Sequence, residues 1–180
     1  RRRGASPTKG KGMSKSQSFD VTTGVDYAEV QNAVHQATKE ITQRYDFKGV
    51  AVEIDLKKDD NLIVMQAPDE YKLTAVWDVL QTKLIRRGQA AQNFHLGDVK
   101  PAGGNSARQE IKIQQGLPTD TCRDIVRTIK DAKLKKVQAA IQGDTVRISG
   151  PSRDDLQEAI ALLKSNDFKV ELKFENFRST

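Results

Sequence analysis

The densest group of side chains able to hold a nucleotide is the run Arg44-Tyr45-Asp46-Phe47-Lys48-Gly49. A guanidinium or an ammonium can hold phosphate, a carboxylate can accept from the Watson–Crick edge of guanine, and an aromatic ring can stack on a base. Arg44 and Lys48 supply the cations, Asp46 the acceptor, and Tyr45 or Phe47 the ring. Either ring could instead close a core where a helix turns into a strand, because aromatic side chains dominate small cores. Lys83, Arg86 and Arg87 form a second basic group in KLIRRG, and Lys112 stands in IKIQQG. The candidate nucleotide-binding residues are thus Arg44, Asp46, Lys83, Arg86, Arg87 and Lys112.

Other chemistry is poorly provided for. His35 belongs to the polar side of a helix, His95 to a strand, and Cys122, the only cysteine, to a buried helical stripe, so no nucleophile, base and orienting group are suggested together. One cysteine and two distant histidines make no metal cage, and no catalytic residue, cofactor or metal is expected. Gly116 in QQGLPTD stands ahead of a helix start, where free amides can hold an anion, but a tight strand-to-helix turn accounts equally for Gly116 and for its twin Gly24 in TTGVDYA.

The elements that must position these residues occur twice. FDVTTGVDYAEVQNAV, from Phe19, overlays IKIQQGLPTDTCRDIV, from Ile111, with Gly24 on Gly116, Val30 on Cys122 and Ala37 on Ile129. LIVMQAPDEYKLTAVWDVL overlays VRISGPSRDDLQEAIALL, with Leu62 on Val146, Leu73 on Leu156 and Leu80 on Leu163. Each copy alternates periods of two and 3.6 in the order βαββαβ. Val30, Ala33, Val34, Ala37 and Ile41 make one helical stripe and Leu73, Val76, Trp77, Leu80 and Leu84 another, which stops before Gly88; NFHLGDV supplies a weaker last strand. Asp26 and Ser152 stand where a side-chain oxygen caps a helix. The fold class is α+β, two ferredoxin-like domains from an internal duplication, each an antiparallel sheet with helices on one face. The expected division is a basic, disordered tail over 1–17, one domain over 18–100, a linker over 101–106 and a second domain over 107–180. A ligand is expected on an open sheet face or in a groove between the sheets, since helices occupy the other side. The third strands, NLIVMQAP and TVRISGPS, lack the aromatics on which bases stack in RNA-recognition domains of this fold, which leaves phosphate- or shape-directed RNA binding.

The formal charge of +6 does not belong to the folded body. Six of the 30 basic residues lie within residues 1–18, which contain no acid, so residues 19–180 carry 24 of each sign. With a methionine at Met13, residues 1–12 read as an upstream extension or a mistaken start, set aside from functional inference. Within the body, residues 81–147 hold thirteen basic and six acidic side chains, including KLIRRG and KDAKLKK. Such a region either creates a positive field for RNA or places cations at the negative ends of helix dipoles. No apolar run approaches a membrane span and RRRGASPTKGKG lacks a secretory core, so a reduced, cytosolic protein with no membrane partner is expected.

From SFDV through RYDFKGV, TKLIRRG, IKIQQG, IVRTIKDAKLKKVQAAIQGD, VRISGPSRDDLQ and FENFR, the chain resembles the YajQ family of small bacterial proteins over Ser18 to Arg178. The resemblance implies that the two domains exchange their first strands, over 18–23 and 108–115. It implies a non-enzymatic nucleotide-binding protein of the bacterial cytosol, with cyclic di-GMP a ligand of some members and nucleic acid or a transcription regulator as partner. The expected function is a cyclic di-GMP effector acting through a protein partner; the alternatives are an RNA-binding protein using residues 81–147 and a protein-interaction scaffold. The tail before Met13 departs from the family pattern.

Overall fold

The computed structural model describes residues 15–180. The disorder expected over 1–17 therefore lies outside the described residues except at Lys15–Gln17, and Gln17 already opens a strand. The elements follow as β1 (Gln17–Thr22), α1 (Tyr27–Gln43), β2 (Glu53–Lys57), β3 (Leu62–Ala67), α2 (Glu70–Arg86), β4 (Phe94–Ala102), β5 (Ser106–Ile113), α3 (Thr119–Asp131), β6 (Gln138–Gln142), β7 (Thr145–Gly150), α4 (Arg153–Lys164) and β8 (Lys173–Ser179). They make two four-stranded antiparallel sheets, ordered β2-β3-β5-β4 and β6-β7-β1-β8. Each sheet thus takes its first strand from the other half of the chain: β1 lies between β7 and β8, and β5 between β3 and β4. The expected strand exchange is present.

Helix boundaries follow local chemistry. Asp26 caps α1 by accepting from the Ala28 amide at 2.9 Å, and Ser152 caps α4 by accepting from the Asp155 amide at 3.2 Å while its hydroxyl donates to the Asp155 carboxylate. At the end of α2, the Gly88 amide donates to Ile85 O and the Gln89 amide to Leu84 O, a Schellman closure with Gly88 at φ +76°. Only a residue without a Cβ adopts that conformation without strain.

Two cores result. The stripes of α1 and α2 bury Val30, Ala33, Val34, Leu73, Val76, Leu80 and Leu84 on Ile63, Met65, Ile111 and Ile113. Those of α3 and α4 bury Cys122, Ile125, Ile129, Leu156, Ile160 and Leu163 on Phe19, Val21, Val146 and Ile148. Each fully buried aliphatic side chain contributes about 1.5–3 kcal/mol.

Three sequence readings need correction. Leu62 does not correspond to Val146: Ile63 and Met65 are fully buried against the helices, whereas Leu62 pairs with exposed Lys57 and Lys112 on the opposite face. With a side-chain period of two, a one-residue slip reverses the face. NFHLGDV is not a weak strand either, because β4 has nine residues and is the longest strand among the described residues. Its turn-like Gly97-Asp98 step is a bulge, marked by a register shift between Leu96 and Val99, and Pro101 is tolerated because β4 is an edge. Residues 101–106 form the β4–β5 hairpin, with β4 ending at Ala102 and β5 starting at Ser106.

The halves are tied where the exchanged strands cross. Asn93 is fully buried. Its amide nitrogen donates to Thr23 Oγ1 at 2.8 Å and Gln114 O at 3.2 Å, and its amide oxygen accepts from the Glu171 amide at 3.0 Å. Thr23 donates onward to Glu171 O, and the Gln115 side chain accepts from the Val25 amide while donating to Val25 O. No described buried side-chain nitrogen or oxygen lacks a partner.

Candidate functional site

The basic end of α2 faces the polar side of α1. The helices are antiparallel: Lys72 at the start of α2 reaches Asp46 O beyond the end of α1, and Arg87 just past α2 reaches Glu29 in the first turn of α1. Between them lies an open groove of about 830 Å³ lined by Glu29, Gln36, Lys39, Glu40, Gln43, Lys83, Arg86 and Arg87. Lys83 pairs with Glu40 at 3.2 Å; Arg87 pairs with Glu29 at 3.0 Å and donates to Gln36 at 3.4 Å. Among the described ion pairs, neither Arg86 nor Lys39 has a carboxylate partner.

The groove therefore offers four cations and two carboxylates, with two cations uncommitted. Partly exposed ion pairs are worth about 0–1 kcal/mol, so an incoming phosphate can take Arg87 or Lys83 from its glutamate at little cost. The released carboxylates and the amides of Gln36 and Gln43 can then accept from or donate to the edge of a base. Glu29, Gln36, Lys39, Glu40 and Gln43 were missed in the sequence. The signal was there: Glu29, Gln36 and Gln43 recur every seven residues, which places them on one stripe of the helix.

Arg44 and Asp46 are held elsewhere. Arg44 lies at the far end of α1, about 20 Å from Glu29 at 1.5 Å rise per residue. Its guanidinium grips Asp46 bidentately, at 3.0 Å from Nε and 2.8 Å from Nη2, and lies 5.4 Å from the Phe47 ring centroid. That hydrogen bond from Arg44 holds the Asp46 carboxyl below its usual range. The open choice between the aromatics resolves by position, because Phe47 is core at 4% exposure and Tyr45 is 90% exposed. Lys112 lies on the face of the first sheet away from the helices, opposite His95 and Leu62. Of the six candidates the structure brings together Lys83, Arg86 and Arg87, and it separates these from the Arg44–Asp46 pair and from Lys112.

In the turn before α3 the two leading amides are engaged by backbone carbonyls. The Gly116 amide donates to Thr23 O at 3.0 Å and the Leu117 amide to Asp144 O at 2.9 Å. Cys122 is fully buried, and burial pushes its thiol pKa up. His35 and His95 are both exposed, and no three described His, Cys, Asp or Glu side chains are placed to hold a metal ion.

On the open face of the second sheet Asp20 accepts from Arg147 at 3.0 Å and from Asn176 at 3.1 Å. The hydrogen bond from Arg147 is the main reason its carboxyl titrates below the usual range, against the opposing effect of burial. The phenylalanines of the strands lie on the helix side: Phe94 and Phe19 are core, and Phe174 and Phe177 pack 5.8 and 5.5 Å from Phe19. Neither open face therefore presents an aromatic platform among the described residues. The basic region 81–147 does not form one patch: Lys83, Arg86 and Arg87 line the α1/α2 groove, Lys130, Lys133 and Lys135 line a second groove of about 430 Å³, and Lys112 and Arg147 lie on the sheets. No helix among the described residues is long and apolar enough to cross a membrane.

Comparison with known proteins matches residues 17–178 to a family model described as "Nucleotide-binding protein YajQ-like". A protein of Magnetococcus marinus named as a nucleotide-binding protein is 52% identical over 161 residues, covering 89% of this chain and 98% of its own length. A similarly named protein of Solibacter usitatus is 48% identical over 162 residues, covering 90% of this chain and 97% of its own. With a duplicated, strand-exchanged fold and a match along nearly its whole length, the chain belongs to the YajQ-like family.

Proposed function

We propose that this chain binds a nucleotide without transforming it, that the nucleotide lies in the α1/α2 groove, and that its class is the cyclic dinucleotide, with cyclic di-GMP favoured. The bound state is passed to a protein partner such as a transcription regulator, in the bacterial cytosol. The observation that carries this reading is the convergence of Lys39, Lys83, Arg86 and Arg87 on one groove in which Arg86 and Lys39 have no ion-pair partner among the described residues. Planar guanidinium groups suit both a phosphodiester and the O6/N7 edge of guanine. Glu29 and Glu40 suit the N1–H and N2–H₂ edge. The relatives are named as nucleotide-binding proteins, which supports a nucleotide as the ligand.

Titration calorimetry of residues 13–180 against cyclic di-GMP, GTP and tRNA tests the proposal. The Arg86→Ala, Arg87→Ala double variant should weaken nucleotide binding at least about tenfold, the loss of one charge-assisted hydrogen bond or more, with little change in melting temperature. Lysine replacements should recover part of the loss, because a point charge cannot reproduce the planar fork. If the double alanine variant binds every nucleotide as the parent does, the groove is not the site. The second reading, RNA binding through residues 81–147, is favoured by the lysines around the smaller groove. It predicts tRNA binding that survives the double variant and falls steeply with salt.

A further inference from the structure

The two sheets have four edge strands, and three are blunted against pairing with another chain. β2 carries Glu53, Asp55 and Lys57 in five residues. β4 has the Gly97-Asp98 bulge and Pro101. β8 has Lys173, Glu175 and Arg178, and a register break where Asn176 takes φ +54°. β6, Gln138-Ala139-Ala140-Ile141-Gln142, has no charge, proline or bulge.

Its free edge is set by the hairpin. Gly143, at φ +63°, and Asp144 connect Gln142 directly to Thr145, and a two-residue turn with glycine first is type II′. Gln142 and Thr145 are then a hydrogen-bonded pair, as are Ala140 with Arg147 and Gln138 with Ser149. The N–H and C=O groups of Ala139 and Ile141 consequently point away from β7, and neither residue donates to a turn or loop acceptor among the described residues. Ile141 is 45% exposed.

We infer that β6 is a self-pairing edge: two copies of this chain join antiparallel through β6 about a two-fold axis at Ala140, extending the sheet to eight strands. The sequence fits itself in this register. Ala139 of each copy opposes Ile141 of the other, so a small side chain meets a large, exposed one on the helix side. On the open side alanine meets alanine at the axis and Gln138 meets Gln142, whose amides can bond to each other. Lys136 comes opposite the turn that carries exposed Asp144 at both ends. Sliding the pairing by two residues puts Asp144 against Leu134 or Gln138 and loses the charge match, and sliding it by one reverses the faces. The contact is isologous, so it closes at two copies.

The test uses the full chain. At the axis, the Ala140 pair occupies a non-hydrogen-bonded position with Cα atoms about 4.5 Å apart, within disulfide range. Ala140→Cys should form a disulfide-linked dimer on mild oxidation, and buried Cys122 should not compete. Gln142→Cys alone should not, whereas Gln138→Cys mixed with Gln142→Cys should. The parent's sedimenting mass should double with rising concentration, and Ile141→Pro, which removes an outward N–H and no hydrogen bond to β7, should stay monomeric with little change in melting temperature. A parent that remains monomeric throughout, or Gln142→Cys cross-linking to itself as readily as Ala140→Cys, overturns the proposal.

Discussion

Replacing Asn93 by alanine should weaken the whole molecule although the side chain touches no ligand. The amide is fully buried and makes three hydrogen bonds, to Thr23, Gln114 and Glu171. Alanine leaves the part-buried Glu171 N–H without its acceptor, costing up to about 1–3 kcal/mol, and forfeits two further bonds worth about 1 kcal/mol each. A loss of roughly 3–5 kcal/mol in a chain of this length lowers the melting temperature by about 6–20 °C. Thermal unfolding followed by circular dichroism measures it directly. Asn93→Asp gives the sharper control, because it keeps the acceptor for Glu171 but aims a carboxylate oxygen at Thr23 and at the Gln114 carbonyl. Its folded carboxyl pKa must then rise above the unfolded value, so the destabilisation should shrink as pH falls and the group becomes an O–H donor. A fall of less than about 2 °C for Asn93→Ala, or an Asn93→Asp deficit that is flat with pH, would show that the crossing is not held by this amide.

The Asp20 carboxyl titrates below its unfolded value, so its contribution is complete above about pH 4 and disappears as pH falls through the folded pKa. Asp20→Asn should cost about 1.5–3 kcal/mol at neutral pH in chemical denaturation and nothing once both proteins are at acid pH; an equal deficit at both would contradict the pairing with Arg147. Cys122→Val should leave stability within about 1.5 kcal/mol of the parent, and folded protein should label slowly with a thiol reagent, rapid labelling being the contrary result. Removing residues 1–12 should leave saturable nucleotide binding intact. If RNA affinity resides in those residues, the same truncation flattens the dependence of log affinity on log salt, whereas an unchanged slope assigns the affinity to the body.

What could be read from the sequence was whatever depends on neighbours along the chain. The stripes Val30 to Ile41 and Leu73 to Leu84 are recognisable because burial repeats at the helical period, and all ten residues are buried. The caps at Asp26 and Ser152 and the stop at Gly88 are equally local. β4 was undervalued because glycine, aspartate and proline signal a turn when its long partner β5 is out of view. The candidate site divided for the same reason. Arg44 and Asp46 read in sequence as available for a ligand, and only the folded chain shows that each satisfies the other. Lys83, Arg86 and Arg87 were visible as a helix end, but the opposing stripe of α1 lies more than 40 residues away in sequence. Asn93 gave no sign of its role, since its partners Thr23 and Glu171 lie 70 and 78 residues from it.

The exchange of first strands also sets the order in which this protein can become a protein at all. As the chain leaves the ribosome, α1, β2, β3, α2 and β4 emerge without the central strand of their sheet, which arrives only with β5 at Ser106–Ile113. β1 emerges first yet has no partner until β7 and β8 are made, and its link to Arg147 spans 127 residues. Phe19 and Val21, both fully buried at the end, must wait in water or in transient company for most of synthesis. Closing so long a loop before any contact rewards it is slow, and it leaves an apolar strand open to intermolecular pairing meanwhile. Neither half is therefore an autonomous folding unit: a fragment ending before residue 106 lacks a middle strand, and one beginning after residue 22 lacks the other.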